Sequence, residues 1–549
     1  MFRTTYDSTT KVWSGPENYG SVYHPCVTMG RGILLALNMD PDRTHQISAD
    51  DDTRMTNREV YEATLKIAWN LQKRGCSKGD VIAIMALNSH HVTTAALAGL
   101  YLAAPVNGLD PNFTESETSH MLNMAEPKFI FCDNTVVKIL MKVVSDLKLT
   151  TRLIVFGQKV DKLWHIDDFL EGDITSDEIK YLISCPPKVN KNDVSIILCS
   201  SGTTGLSKGI LCSHEIFLKS FTTSPFLKFV ERGNTILSYS TIYWPTYIIT
   251  LLGATFCGAT KIITKERFTP EGFMRIVQKY QLSAVIAPPG SGALLLKHPD
   301  FHRESLVSVK TFALIGSVVS SDLASSLQDN LPNGRVLIMY GMNELGSIAA
   351  NVFEPGNATV GLLTAGVTAI IVNDETGQRL GVGEEGEICV KTSLEMIGYL
   401  KNEKAALELV DKDGWYHSGD VGFFDQDGCL HHLGRKKDCL KYNNYNIAPG
   451  DIEEIIEKHP DVAQVVVVGV PDPIVVDLPA AAVVKRAGSN ITAEEIIKLV
   501  EDNVMDAKRL RGGVYFMNSL PMTPSGKIRK LNVKDMVIKL YNAKKSNFV

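Results

Sequence analysis

The chain is 549 residues long, too long for one hydrophobic core, so two or more domains are expected. With 44% hydrophobic and 21% charged residues it has the composition of a globular protein, and a net charge of −5 argues against a surface for polyanions. No basic run is interleaved with aromatic residues, so nucleic acid is not an expected partner.

The N-terminal stretch MFRTTYDSTTKVW has no apolar core of the secretory type, and the C-terminal KKSNFV is not the S-K-L peroxisomal address. A cytoplasmic, soluble protein is the expectation. Segments 80–87, 127–133, 151–157, 193–199 and 260–265 are short, rich in β-branched and aliphatic residues, and separated by helical patterns, which predicts buried parallel strands of an α/β domain. Residues 92–109 carry no charge but include Pro105 and are short for a bilayer; a buried helix ending before the proline is expected, not a membrane span. From about 360 to 433 the texture turns to strands with tight turns, predicting a small antiparallel module, drawn as a β-barrel. Beyond a charged segment near 436, a helix at 451–458, strands at 463–470 and 480–485, a helix near 492–504 and a strand at 513–517 predict a separate α+β domain. The expected fold is therefore α/β: residues 1–435 as a large domain of two α/β subdomains plus the β-module, hinged to a smaller domain at 436–549.

Ten cysteines are scattered with no C-x-x-C, which excludes the usual zinc spacings and predicts reduced, mostly buried thiols. His90-His91 and His431-His432 lack a further ligand at metal spacing and read as helix-entry and loop residues; His417 reads as a packed neighbour of Asp420. The stretch LCSSGTTGLSKGI (198–210) has Gly202 and Lys208 at Walker A spacing. Ser207 and Gly209, however, replace the second glycine and the Mg-binding hydroxyl residue, so a P-loop NTPase is rejected. What remains is a donor-rich Ser/Thr/Gly loop with one lysine, either a phosphate cradle or a polar strand–helix turn.

This loop resembles the signature of the adenylate-forming superfamily, which includes acyl-CoA synthetases, 4-coumarate–CoA ligases and beetle luciferases. Four further stretches fit in order: YGMNELGS (340–347), WYHSGDVGFFDQDG (415–428), GRKKDCLKYNNYNIAPGDIE (434–453) and PSGKIRK (524–530). Taken singly, Asp420 reads as a turn cap and Lys527 as a solvated tail lysine; the collinear set reverses both readings. The resemblance implies ATP, Mg²⁺ and CoA as cofactors and cosubstrates, a carboxylic acid as the other substrate, and an acyl-adenylate formed before thioester transfer. It implies that Ser200, Ser201, Gly202, Thr203, Thr204, Gly205 and Lys208 cradle the phosphates. Glu344 would help hold Mg²⁺, and Gly316, Ser317, Tyr340, Gly341 and Asn343 would face the nucleotide. Asp420 would accept the ribose hydroxyls beside Arg435. Lys527 would carry adenylation, Lys437 would be the hinge, and Lys441 would lie on the thioester-forming face.

Several positions depart from the family pattern. Tyr243-Trp244 stands where many relatives carry His-His, and with Thr246, Ile248 and Leu252 is expected to shape the acyl pocket. Asn343 replaces threonine, Ile315 and Asn444 replace glycines, and Ser207 replaces proline. No departure removes a charge that adenylation needs. The expected activity is an AMP-forming acid–thiol ligase for a medium- or long-chain fatty acid. A nucleotide-binding protein without turnover and a luciferase-like monooxygenase are the alternatives.

Overall fold

The computed structural model describes residues 3–18, 24, 26–171, 175–190, 192–199, 207–352, 359–394, 396–436, 438–442, 445–447, 449–472, 474–522 and 528–546. Among these, four sheets organise a mixed α/β architecture with a large N-terminal and a smaller C-terminal domain.

The first large sheet has eight strands, with Val106–Leu109, Ile82–Met85, Phe129–Cys132 and Arg152–Val155 parallel at its centre. Val194–Cys199 adds in parallel to Val106–Leu109, and Gly209–Ser213 and Gly398–Tyr399 close that edge in antiparallel fashion. The second has nine strands, including the parallel set Thr44–Ser48, Thr260–Ile263, Thr235–Ser238, Ala284–Ala287, Thr311–Ile315 and Arg335–Met342. The five segments expected to be buried parallel strands are all strands of these two sheets and are largely apolar on both faces, with the buried Lys261 of Thr260–Ile263 the charged exception.

The main core lies between the sheets and takes side chains from both, for example Ile84 and Ile196 from one and Ile286 and Met339 from the other. Helices Met29–Asn38, Asn57–Lys73, His90–Tyr101 and Pro245–Phe256 fill the space. The segment weighed as a membrane span forms His90–Tyr101, capped by Ser89 and buried throughout Val92–Tyr101, and ends before Pro105 as expected. Its small residues let neighbours approach: a Cβ on Gly30 of the adjacent helix would lie 2.3 Å from the Tyr101 nitrogen. Among the described residues no helix is long and apolar enough to cross a membrane. All ten cysteines are unpaired, five of them buried, with Cys26 and Cys185 exposed.

The third sheet corrects one expectation. It is an open, six-stranded antiparallel sheet, with no closed barrel among the described residues. Its edge strands are Thr5–Asp7 and Leu430–Arg435. Two strands come from the extreme N-terminus, Thr5–Asp7 and Val12–Ser14, the latter pairing with Val367–Val372. The sheet does not curl onto itself because its apolar face is spent elsewhere: Trp13, Ile371, Ile388 and Phe424 pack on Tyr340, Leu345 and Ile348 of the nine-stranded sheet.

The smaller domain holds a five-stranded sheet around the long hairpin of Val462–Asp472 and Val476–Lys485, with Gly513–Phe516 added in parallel. Period-two alternation gives it two cores: Val465, Val467 and Ala481 face helices Pro449–Glu457 and Ala493–Glu501, while Val466, Val468 and Ala480 face Lys530–Ser546. Lys297 donates 2.9 Å to the Ala463 carbonyl, a contact between the large domain and this one.

Candidate active site

Of the residues singled out in the large domain, Gly316, Ser317 and Glu344 follow the carboxyl ends of strands, where open α/β sheets receive ligands, whereas Asp420 lies mid-strand in the antiparallel sheet. Val194–Cys199 leads into the Ser/Thr/Gly segment and Gly209–Ser213 leads out, with Cys199 and Gly209 paired antiparallel. Residues 200–206 therefore fall between two strands, and the helix His214–Thr223 begins only after the second. Ser200, Ser201, Gly202, Thr203, Thr204 and Gly205 lie outside the described residues. Lys208, at the loop's exit, is exposed, with Nζ 5.0 Å from the centroid of the Tyr399 ring.

Tyr399 links this lysine to the acidic residue expected nearby. Its hydroxyl donates 2.8 Å to Glu344 Oε1, and burial together with the Glu344 charge pushes its own ionisation upward, keeping it a donor. Glu344 is buried in the turn between Arg335–Met342 and Gly346–Val352. The turn is tight because a Cβ on Gly341 would lie 2.4 Å from the Gly346 carbonyl oxygen. Beside it, Asn343 Nδ2 donates 3.1 Å to the Cys199 carbonyl, so the residue in the family's threonine position ties the acidic turn to the start of the loop. A lone buried carboxylate of this kind suits Mg²⁺, which takes one or two protein carboxylates and completes its shell with phosphate and water oxygens.

A second group surrounds Asp420, which is 2% exposed. Tyr340 Oη donates 2.6 Å to Oδ2, and Arg435 Nε lies 2.9 Å from Oδ1. Register explains the pairing, since Asp420 and Arg435 are direct partners across antiparallel strands. His432 Nε2 lies 3.7 Å from Oδ1 while its ring stacks on Tyr340 at 4.9 Å. Burial alone would raise the Asp420 pKa; His432, Arg435 and Tyr340 outweigh it and hold the carboxyl below its ordinary value. Among the described residues no donor is aligned for a hydrogen bond on Oδ1, which leaves a charged, buried acceptor beside Arg435 and His432. Gly316, at φ +104°, and the exposed Ser317 follow the end of Thr311–Ile315 in the same layer of strand ends.

Two histidine expectations are overturned. His431-His432 belongs to the strand Leu430–Arg435, with His431 2.8 Å from Asp425 and His432 on Asp420. His417 points away from Asp420, because Tyr416, Ser418 and Asp420 share the buried face of their strand; it meets Glu387 and Cys389 instead. His90 does open a helix, as expected.

The acyl-pocket candidates divide. Tyr243 and Trp244 form an edge-to-face pair at 4.8 Å, Phe113 meets Tyr243 at 5.5 Å, and the Tyr243 hydroxyl shares a hydrogen bond with Ser207. Close approach of the backbone at Gly108, where a Cβ would lie 2.4 Å from the Ile242 carbonyl, seats this turn on the neighbouring sheet. Thr246 donates 2.6 Å to Ser240 Oγ, and Ile248 and Leu252 lie in the main core. Tyr399 and Phe113 lie in no motif quoted for the resemblance and carry no sequence signal, and His432 stands out in the sequence only as one of a histidine pair.

Lys437, Asn444 and Lys527 lie outside the described residues, as does the side chain of Lys441, whose backbone is in the strand Leu440–Tyr442. Lys436 is described: its amide donates to the Gly419 carbonyl, and its ammonium bridges Asp374 at 2.6 Å and Glu387 at 3.1 Å.

Comparison with known proteins follows this geometry. The AMP-binding enzyme family matches residues 36–400, and its C-terminal domain matches 451–527. The chain belongs to the AMP-binding, adenylate-forming family. Luciferin 4-monooxygenase of Luciola mingrelica is 28% identical over 494 residues, covering 88% of this chain and 89% of that protein. Probable 4-coumarate–CoA ligase 1 of Dictyostelium discoideum is 26% identical over 543 residues, covering 94% and 97%. Among solved folds, ATP-bound MatB from Rhodopseudomonas palustris superposes with a TM-score of 0.81 at 22% identity, covering 94% of this chain and all of that one. The turn that carries Glu344 and the strand that carries Asp420 thus belong to a family of adenylating enzymes.

Proposed function

We propose that the protein is an ATP-dependent carboxylate–CoA ligase. It joins the acid to the α-phosphate of ATP with release of pyrophosphate, then passes the acyl group to CoA and releases AMP. The observation that carries this reading is the buried, ionised Asp420, held by Tyr340, Arg435 and His432 with one oxygen lacking an aligned donor. A carboxylate so placed suits a pair of ribose hydroxyls, and Lys208 beside the eight-stranded sheet and Glu344 on the nine-stranded one suit the phosphates.

Both chemical steps place negative charge on oxygens that fixed cations and N–H groups stabilise. A Mg²⁺ ion bound with the nucleotide would neutralise phosphate charge beside Glu344. Tyr399 orients Glu344 through its 2.8 Å hydrogen bond, and Asn343 holds the acidic turn on the loop. In this reading Lys527, from the smaller domain, supplies the positive charge at the reacting carboxylate. Lys437 is the pivot between the 1–435 and 436–549 domains, and Lys441 lies on the face presented for thioester formation.

The acid we propose is a medium- or long-chain fatty acid. The side chains beside the loop, Phe113, Tyr243 and Trp244, are uncharged, and burial pushes the Tyr243 ionisation up so that its hydroxyl stays neutral. An aromatic acid is the second reading, favoured by the edge-to-face arrangement of those rings, which suits a flat ring. Thioester formation from ATP, CoA and a panel of fatty and aromatic acids tests both. A fatty acyl thioester is expected; aromatic thioesters alone would select the second reading, and no thioester from any acid would remove CoA as acceptor.

A further inference from the structure

On the face of the β-module opposite Asp420, three side chains of ligand type converge. Glu387 and Cys389 lie two residues apart on Gly386–Thr392, and His417 is the direct cross-strand partner of Cys389. A register irregularity between Glu387 and Cys389 brings His417 toward the glutamate as well. His417 Nδ1 stands 3.1 Å from Glu387 Oε2 and 3.5 Å from Cys389 Sγ, and all three ligand atoms lie within 4.8 Å of one another. Ligands around a tetrahedral zinc ion, at bond lengths of about 2.0–2.3 Å, stand about 3.3–3.8 Å apart. The gap between these atoms is therefore close to what such an ion spans.

We propose that Glu387, Cys389 and His417 form a binding site for a zinc-type divalent cation, with one nitrogen, one sulfur and one oxygen ligand.

Further observations fit. The N/S/O set matches a borderline-soft ion, and neither Ca²⁺ nor Mg²⁺ prefers it. Asp411 Oδ2 lies 3.7 Å from the other ring nitrogen of His417, where its charge favours the tautomer protonated at Nε2 and leaves Nδ1 free as the ligand, as in carboxylate–histidine–metal arrangements. The charge around the site is unbalanced: Asp374, Glu387 and Asp411 surround it with Lys436 as the ammonium between two of them. Glu387 Oε1 accepts from the Gly419 amide at 3.2 Å, which fixes the carboxylate and aims Oε2 at the site. Cys389 is wholly buried while the His417 side chain is 35% exposed, so the site has a floor and an open side for a fourth, water ligand. Lys436, on Glu387 Oε2 in the metal-free arrangement, keeps Asp374 when the metal takes that oxygen. None of these residues belongs to the nucleotide site, so the proposal stands apart from the ligase reading.

The test is a titration of the full chain with Co²⁺, the spectroscopic stand-in for Zn²⁺, after treatment with chelator and without nucleotide. One equivalent is expected to produce a sulfur-to-cobalt charge-transfer band that Zn²⁺ abolishes by displacement. The band is expected to vanish in Cys389→Ser, and affinity to fall at least about 10-fold in His417→Gln and about 10–100-fold in Asp411→Asn. Cys26→Ser and Cys185→Ser, the exposed thiols, should leave the titration unchanged. A band retained in Cys389→Ser, or lost in the surface variants, overturns the assignment. If Cys389→Ser does not fold, unaltered affinity in His417→Gln overturns it equally, and so does the absence of any band in the wild type.

Discussion

The hydroxyl of Tyr340 donates a 2.6 Å hydrogen bond to Asp420, a residue on a different sheet, and its ring stacks on His432 at 4.9 Å. This contact welds the nine-stranded sheet to the β-module across the proposed nucleotide site. Removing it in Tyr340→Phe keeps the ring but leaves a buried carboxylate short of one donor. Hydrogen bonds to charged groups contribute about 1.5–3 kcal/mol, so KM for ATP should rise about 10–100-fold. Steady-state kinetics at saturating acid checks this, with circular dichroism confirming the fold; an unchanged KM would detach Asp420 from the nucleotide.

Tyr399 plays the equivalent part for Glu344. In Tyr399→Phe the carboxylate loses its 2.8 Å donor and its orientation, while the ring beside Lys208 stays. Turnover should drop about 10-fold or more. Raising Mg²⁺ should recover part of the loss if Glu344 holds the ion; no recovery at any Mg²⁺ concentration would assign Tyr399 to packing alone.

Acid sensitivity should come from two buried histidines. Burial, then Arg43 and Lys261, lower His45 to about 3. Burial lowers His214 to about 4, and its Nδ1 accepts from the Met29 amide at 3.1 Å. Both folded-state values lie below the unfolded value near 6.5, so the unfolded chain binds more protons below that pH. Their stabilisation is complete above about pH 6.5 and falls as pH drops toward 4 and 3, by about 2 kcal/mol each at pH 5. Thermal melts between pH 7 and 5 should show this slope, and His214→Gln should reduce it; an equal slope in the variant would place the acid sensitivity elsewhere.

Lys261 stands in the core between the sheets, 1% exposed, its Nζ 3.2 Å from the Tyr247 ring centroid and, among the described residues, without a hydrogen-bond partner. Burial holds its pKa well below that of a free lysine. The penalty for keeping it in the folded state is present below the unfolded pKa near 10.4 and fades as pH rises to that value. An apolar residue of similar length removes it. Lys261→Met should stabilise the protein by about 1–4 kcal/mol at neutral pH, read as a higher denaturation midpoint. A lower midpoint would mean that the cation–π contact outweighs the desolvation cost.

Much of this was legible in the sequence, and the reasons differ by region. The parallel strands announced themselves because residues such as Ile82–Met85 are apolar on both faces, and the helix at His90–Tyr101 because its small residues tolerate complete burial. The β-module was misdrawn as a barrel because two of its strands come from residues 5–14, which carry no pattern tying them to residues 367–435. Asp420 and Glu344 were found through motifs. Their partners Tyr399 and His432 were not, because tertiary pairing, not spacing, brings them there. The Glu387–Cys389–His417 group is hidden in the sequence for the same reason: cross-strand register, not spacing along the chain, brings these side chains together.

The central claim is that this chain adenylates a carboxylic acid, and carboxylate-dependent exchange of labelled pyrophosphate into ATP measures that step without reference to the final acceptor. Exchange should appear with at least one fatty acid in the absence of CoA and be nearly abolished in Lys527→Ala. Asn444→Gly should leave exchange unchanged while raising thioester formation. No exchange with any fatty or aromatic acid, from a folded protein that binds ATP, would contradict the account and leave a nucleotide-binding protein without turnover.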